Sequence, residues 1–258
     1  MGIVGVIKKG FVEVQKLMNV VLAFFFFNAL IGLISLPISN PDRAGQPGIM
    51  LISVVSSILF FFVFILLQGG ALGLIKDHIK GGTADIFRLM EYGKKFYVRI
   101  LSLLLLYILV AVAVVLLLSL ISAGLLFMGD NVMTRTLVAV IVTAAAIVMI
   151  TLLIYPIYAI VAEDKGAIEG FKKGIQVAKS NFARSLGLFM GLLLVSLLIS
   201  LAVGFVTGLL SVPLGGNISQ VVIAIVNAAV QSYISVVMMI AFMSFYLSIT
   251  GSSAGAIE

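Results

Sequence analysis

The chain lacks cysteine and tryptophan, contains one histidine, and only 10% of its 258 residues are charged. Without cysteine there can be no disulfide, thiolate chemistry or Cys-ligated metal. One histidine makes a His-ligated zinc site or a His-based catalytic pair unexpected. Soluble domains carry about a quarter of their residues as charged side chains. The composition therefore argues against a soluble enzyme, a disordered chain and a nucleic-acid-binding domain.

The sequence contains long apolar runs instead. Apolar residues make up 62% of the chain, and its mean hydropathy is +1.30. About 20 apolar residues in a helix cross the hydrocarbon layer, and the longest run divides at the turn-rich segment 211–217. We predict a single domain, 1–258, with an all-α, polytopic membrane fold. The six expected transmembrane helices lie near residues 17–37, 49–75, 100–128, 136–162, 185–210 and 221–249, and Pro156 is expected to kink the fourth.

The basic residues are distributed unequally between the two sides of these helices. Arg43 and Arg135 fall on one side, and the rest of the 16 Lys and Arg residues fall on the other. By the positive-inside rule, both termini and the two long connections, which follow the second and the fourth predicted helices, face the cytoplasm. The predicted location is the cell membrane, with the chain crossing it several times.

A repeat of about 85 residues is suggested by basic residues that recur at that spacing. The matching pairs are Lys80 and Lys165, Lys94 and Lys179, and Arg99 and Arg184. A weaker third copy places 8–10 (Lys-Lys-Gly) opposite 172–174. A fixed period is usually architectural, although convergence is an alternative because interfacial segments collect Lys and Gly. The predicted units, each an amphipathic segment followed by a two-helix hairpin, are 1–82, 83–166 and 167–258.

The cytoplasmic segments 84–97 and 167–182 have the spacing of amphipathic helices, with Thr83 expected to cap the first. Such helices lie at the headgroup layer, where lysines attract anionic lipid. The expected partners are anionic lipid headgroups, a membrane protein or a second copy of the chain. Charged loops that only set topology are the alternative. Seven residues are candidates for lipid or partner contact: Lys94, Lys95, Arg99, Lys172, Lys173, Lys179 and Arg184.

Gly166, Gly170 and Gly174 lie four residues apart in the second amphipathic segment. Glycine weakens a helix by about 1 kcal/mol relative to alanine, so three on one face predict close docking against a transmembrane helix. The preceding acidic pair, Glu163 and Asp164, is expected to cap this helix, with a cytoplasmic binding point as the alternative.

The predicted spans contain no charged residue well inside them, which argues against ion coupling through such a residue. Asn227, Gln231 and Ser235 share one face of the last span, and they predict interhelical hydrogen bonding or, alternatively, a polar pathway. Asn28 and Gln68 are also expected to bond between helices. We expect no enzyme activity, cofactor or metal. The leading hypothesis is a non-catalytic module that organises lipid or a partner protein; the alternative is a channel or uncoupled transporter for a neutral or lipid-like solute.

Residues 155–163 read Tyr-Pro-Ile-Tyr-Ala-Ile-Val-Ala-Glu and are followed by Gly166, Phe171 and the Lys-Ser-Asn of 179–181. This pattern resembles six-span bacterial and archaeal membrane proteins of unknown function. It is also similar to the membrane domain attached to some glycerophosphodiester phosphodiesterases. The resemblance implies a membrane module. The phosphodiesterase domain of that family is missing from this sequence, so no catalytic role carries over.

Overall fold

The computed structural model describes residues 2–38, 46–82, 85–127, 129 and 131–251, and its regular structure in these ranges is entirely helical. The all-α prediction is therefore confirmed for the described residues. Thr83 and Arg43 lie outside them. The helices are α1 (Ile3–Glu13), α2 (Met18–Ile38), α3 (Pro47–Ile79), α4 (Arg88–Phe127), α5 (Val132–Leu153), α6 (Pro156–Glu163), α7 (Ala167–Ser180), α8 (Phe182–Ser211) and α9 (Gly216–Thr250), with short 3₁₀ turns at Val14–Leu17 and Val212–Leu214.

Six helical stretches in the described residues are long and apolar enough to cross a membrane, as predicted. Large apolar side chains such as Leu116, Phe205 and Leu209 are exposed on them. Exposure of this kind suits a chain whose solvent is hydrocarbon. The six stretches are Ile3–Leu36, Pro47–Ile79, Arg88–Phe127, Val132–Glu163, Phe182–Ser211 and Ile218–Thr250.

The first cytoplasmic amphipathic segment differs from the prediction because it does not form a separate helix. Its residues continue into the third span as one helix, α4, of 40 residues. Residues 94–123 contain neither glycine nor proline, so nothing in the sequence breaks the helix there. A helix of this length measures about 60 Å, against about 30 Å of hydrocarbon. The amphipathic part therefore extends the span.

The kink predicted at Pro156 takes the form of a break between two helices. Helix α5 ends at Leu153, and α6 begins with Pro156, which has no N–H to donate to the preceding turn. The hydroxyl of Tyr107 donates a hydrogen bond of 2.7 Å to the Leu153 carbonyl. A carbonyl at the end of α5 is thus satisfied by a side chain of α4.

The chain divides into two compact units, Met1–Tyr97 with Gly187–Glu258, and Val98–Leu186. In the first unit, α9 packs against both α2 and α1. Asn28 of α2 donates a hydrogen bond of 2.8 Å to Ser232 of α9, which confirms its expected interhelical role. The side-chain oxygen of Gln68 on α3 is buried and accepts no hydrogen bond from the described residues, so the bond expected there is not formed through that atom. In the second unit, α7 packs against α6 and α5. The amphipathic helices are therefore part of the packed structure.

Candidate membrane-interface sites

Helix α7 approaches α6 through two of its three glycines. Gly170 and Gly174 are buried, and a Cβ on Gly174 would overlap the main-chain nitrogen and Cα of Pro156. A Cβ on Gly170 would overlap the side chain of Ile160. At Gly166 no atom lies within 4 Å of the Cβ position. The close approach therefore involves Gly170 and Gly174, whereas Gly166 is the residue at which α7 begins.

The acidic pair before α7 has a different role from the predicted cap. Gly166 is the N-cap of α7 and makes no side-chain cap bond, so the prediction of an acidic cap is wrong. Asp164 instead ends α6 in the left-handed conformation, at φ 55°, which aspartate tolerates better than most residues. Arg99 donates to the Asp164 carboxylate and, at 3.0 Å, to its carbonyl. Glu163 pairs with Lys165 at 2.8 Å.

Glycine contacts also join the other two amphipathic segments to spans within the first unit. A Cβ on Gly10 of α1 would lie 2.9 Å from the Val237 carbonyl oxygen of α9. A Cβ on Gly93 of α4 would lie 2.6 Å from the Leu66 carbonyl oxygen of α3. Gly10 is the residue that the weaker third copy of the repeat places opposite Gly174. Gly93 belongs to none of the predicted motifs, and its only signal is a glycine within a helical pattern that otherwise avoids it.

The period of 85 residues relates two glycine contacts between an amphipathic segment and a span. A Cβ on Gly70 of α3 would overlap the Leu89 carbonyl oxygen of α4. Adding 85 to both numbers gives Tyr155 and Gly174, and Gly174 meets the residue after Tyr155. The glycine lies on the span α3 in the first contact and on the amphipathic helix α7 in the second. This correspondence supports a repeat, while the unit boundaries stay a prediction.

Most of the candidate basic residues are exposed. Arg99 is half-buried and pairs with Asp164, and Lys173 is half-buried. The ammonium group of Lys95 lies over the ring of Phe96. The exposed candidates are Lys94, Lys95, Lys172, Lys179 and Arg184. On α7 an open pocket of about 500 Å³ is lined by Phe171, Lys172, Ile175, Gln176, Lys179 and Ser180. Apolar and basic side chains therefore share one surface there.

The polar residues of the last span line an open groove. Asn227 and Gln231 of α9 are exposed, and Ser235 is half-buried. Ser196 and Ser200 of α8 face them across a pocket of about 360 Å³. These amides thus differ from Asn28, whose hydrogen bond closes a contact between two helices. Among the residues that the structure describes, no group of three or more His, Asp or Glu side chains could hold a metal ion.

A family model described as a domain of unknown function (DUF7847) matches residues 11–249. No curated protein matches the chain, and no solved structure does. Nothing in these comparisons links the chain to the membrane domain of glycerophosphodiester phosphodiesterases, so that part of the resemblance has no support.

Proposed function

We propose, from the premise that this chain belongs to the DUF7847 family of unknown function, that it is a non-catalytic, multi-pass membrane module that organises anionic lipid. In this proposal its basic amphipathic helices face the cytoplasm, and so do both termini. The single observation that carries it is the arrangement of α7. Two of its glycines are packed against α6, and its exposed Lys172 and Lys179 line a pocket together with Phe171 and Ile175.

The packing of α7 supports lipid binding because it fixes which face points outward. Gly170 and Gly174 allow main-chain approach to α6, so the opposite face is presented without rotation of the helix. Lys172 and Lys179 lie on that face and can contact a lipid headgroup. Phe171 and Ile175 flank it and are half-buried, and their remaining exposed surface can contact an acyl chain. Each lysine near an anionic surface contributes about 1 kcal/mol.

The proposed orientation rests on charge. Basic residues concentrate in the segments that contain α1, the start of α4 and α7, and the cytoplasmic leaflet is the one rich in anionic lipid. The non-catalytic assignment rests on sequence composition, since the chain has one histidine and no cysteine with which to build a nucleophile–base pair.

The test measures how phosphatidylglycerol affects the purified full-length protein. Titration into nanodiscs of phosphatidylcholine should raise the melting temperature of the wild type. The double variant Lys172→Ala/Lys179→Ala should need about 30-fold more anionic lipid, because two contributions of about 1 kcal/mol are lost. Lys172→Arg/Lys179→Arg, which keeps both charges, should behave as the wild type. Equal responses from all three proteins would contradict the proposal.

A second candidate function, an uncoupled conduit for a neutral solute, is favoured by the groove between α8 and α9. Exposed amides at the depth of a membrane span are costly in hydrocarbon unless they meet water, solute or another polar group. Glycerol efflux from liposomes tests this role. Gln231→Leu should abolish flux through the groove, whereas Gln220→Leu, the same change outside the groove on α9, should not. Absence of flux in the wild type would exclude this function for glycerol.

A further inference from the structure

A pocket lined mainly by charged and polar side chains lies in the first unit, where the end of α1 meets the end of α3. It measures about 350 Å³ and is open on one side. Lys9 and Glu13 come from α1, Lys16 from the turn after it, and His78 from the last turn of α3. The remaining lining residues are Ile79, Gly81 and Gly82. None of the basic residues assigned above to lipid contact lines this pocket.

We propose that this pocket binds the phosphate group of an anionic lipid headgroup. The proposal deepens the proposed function, on which it rests, by adding a defined headgroup site to the general attraction of exposed lysines. Basic pockets beside the cytoplasmic ends of transmembrane helices are suited to anionic headgroups. The size of the pocket admits a phosphate together with the small polar group that it carries.

Glu13 positions the donors along one wall of the pocket. Its Oε2 atom lies 2.8 Å from His78 Nε2 and 3.1 Å from Lys16 Nζ. The side chains of Glu13 and His78 are only 19% and 17% exposed, whereas that of Lys16 is 61% exposed. The inner pair is therefore fixed between two helices, and Lys16 remains accessible to a ligand.

The charge of the pocket favours an anion. One carboxylate faces two lysines, so the walls carry net positive charge even when His78 is neutral. Lysine ammonium groups form charge-assisted hydrogen bonds with phosphate oxygens. A phosphate that enters beside Lys9 and Lys16 would neutralise the positive charge of these lysines that Glu13 leaves uncompensated. Glu13 itself repels the ligand and thereby limits its affinity.

Glu13→Gln distinguishes a binding site from an ion-pair cluster that only joins α1 to α3. The amide keeps the size of the side chain and an oxygen acceptor but removes the negative charge. In a phosphate site this change should strengthen binding several-fold. In a cluster with only a structural role, it should lower the melting temperature and leave lipid binding unchanged.

The experiment uses the full chain in neutral detergent, with phosphatidylglycerol and inorganic phosphate as separate probes and bound ligand counted by native mass spectrometry. Lys9→Ala/Lys16→Ala should weaken phosphatidylglycerol binding at least ten-fold, and Lys9→Gln alone should weaken it less. The matched control is Lys8→Ala, an exposed lysine on the same helix that does not line the pocket. Competition by inorganic phosphate would identify the phosphate as the recognised group, and binding of phosphatidylglycerol alone would assign the site to the lipid.

Two results would overturn the inference. The first is unchanged binding in both Lys9 variants, and the second is binding that is unchanged or weaker in Glu13→Gln. The outcome is separable from that of the proposed function. Loss of lipid response in the α7 double variant, with full response in the Lys9 variants, would reject the pocket and retain the proposed function; the reverse pattern would retain the pocket and reject the role of α7.

Discussion

The main-chain nitrogen of Pro156 occupies the position that a side chain on Gly174 would need. Proline has removed the N–H at this point of α6, and glycine has removed the side chain of α7, so the two main chains meet directly. The two residues therefore act as a matched pair, in which the break in the fourth span creates the surface that the amphipathic helix contacts.

Gly174→Ala should destabilise the protein for this reason. The added methyl group overlaps main-chain atoms that cannot move aside, and overpacking of this kind costs about 1–3 kcal/mol. The measurement is thermal unfolding in detergent. Gly124→Ala is the matched control, because its Cβ position in α4 has open space around it. An unchanged melting temperature in Gly174→Ala would show that α7 is not docked on α6.

Tyr107→Phe should lower stability by about 1 kcal/mol, the usual net contribution of one hydrogen bond. The change removes the hydroxyl that donates to the Leu153 carbonyl and leaves the ring in place. Chemical unfolding in mixed micelles provides the measurement, with Tyr97→Phe as the control in the same helix. If the two variants unfold alike, the bond to Leu153 does not support the break in the span.

Asn28→Leu and Asn227→Leu should have opposite effects on stability. The first loses the hydrogen bond to Ser232, a type of contact worth about 0.6 kcal/mol between membrane helices. The second replaces an exposed amide by an apolar side chain and should raise the melting temperature in detergent. Destabilisation by Asn227→Leu would instead indicate that its amide has a polar partner in the assembled protein.

The absence of cysteine makes the orientation simple to test. A membrane-impermeant maleimide applied to intact cells should label Ser219→Cys, near the start of α9, and should not label Ser180→Cys, at the end of α7. After permeabilisation both variants should react. Labelling of Ser180→Cys in intact cells would reverse the proposed topology.

The sequence predicted the spans well because apolar runs and the physics of a buried backbone leave few alternatives. It predicted an irregularity of the fourth span at Pro156 for a similar reason, since the missing N–H acts locally; the prediction was a kink, and the structure has a break. It did not predict that α4 would be continuous. The change from an amphipathic to an apolar pattern at 97–100 resembles the boundary between two helices, but no residue there interrupts the helical main chain.

The contacts of the candidate sites were harder to predict because they depend on residues distant in the chain. Arg99 had the appearance of a free interfacial cation, and only the fold brings it to Asp164. Glu13 and His78 are separated by 65 positions and carried no shared motif. Gly170 and Gly174 were identified because their spacing is local to one helix, whereas Gly10 acts against Val237 at the other end of the chain.

The unbroken length of α4 has a consequence for its main chain. No helix end falls between residues 94 and 123, so the carbonyl groups of Lys94 and Lys95 need no capping partner. Helix α7 ends at Ser180, and the carbonyl of Val177 in its last turn accepts a hydrogen bond of 3.2 Å from the side-chain amide of Asn181. Two basic segments that look alike in sequence therefore satisfy their main-chain groups in different ways.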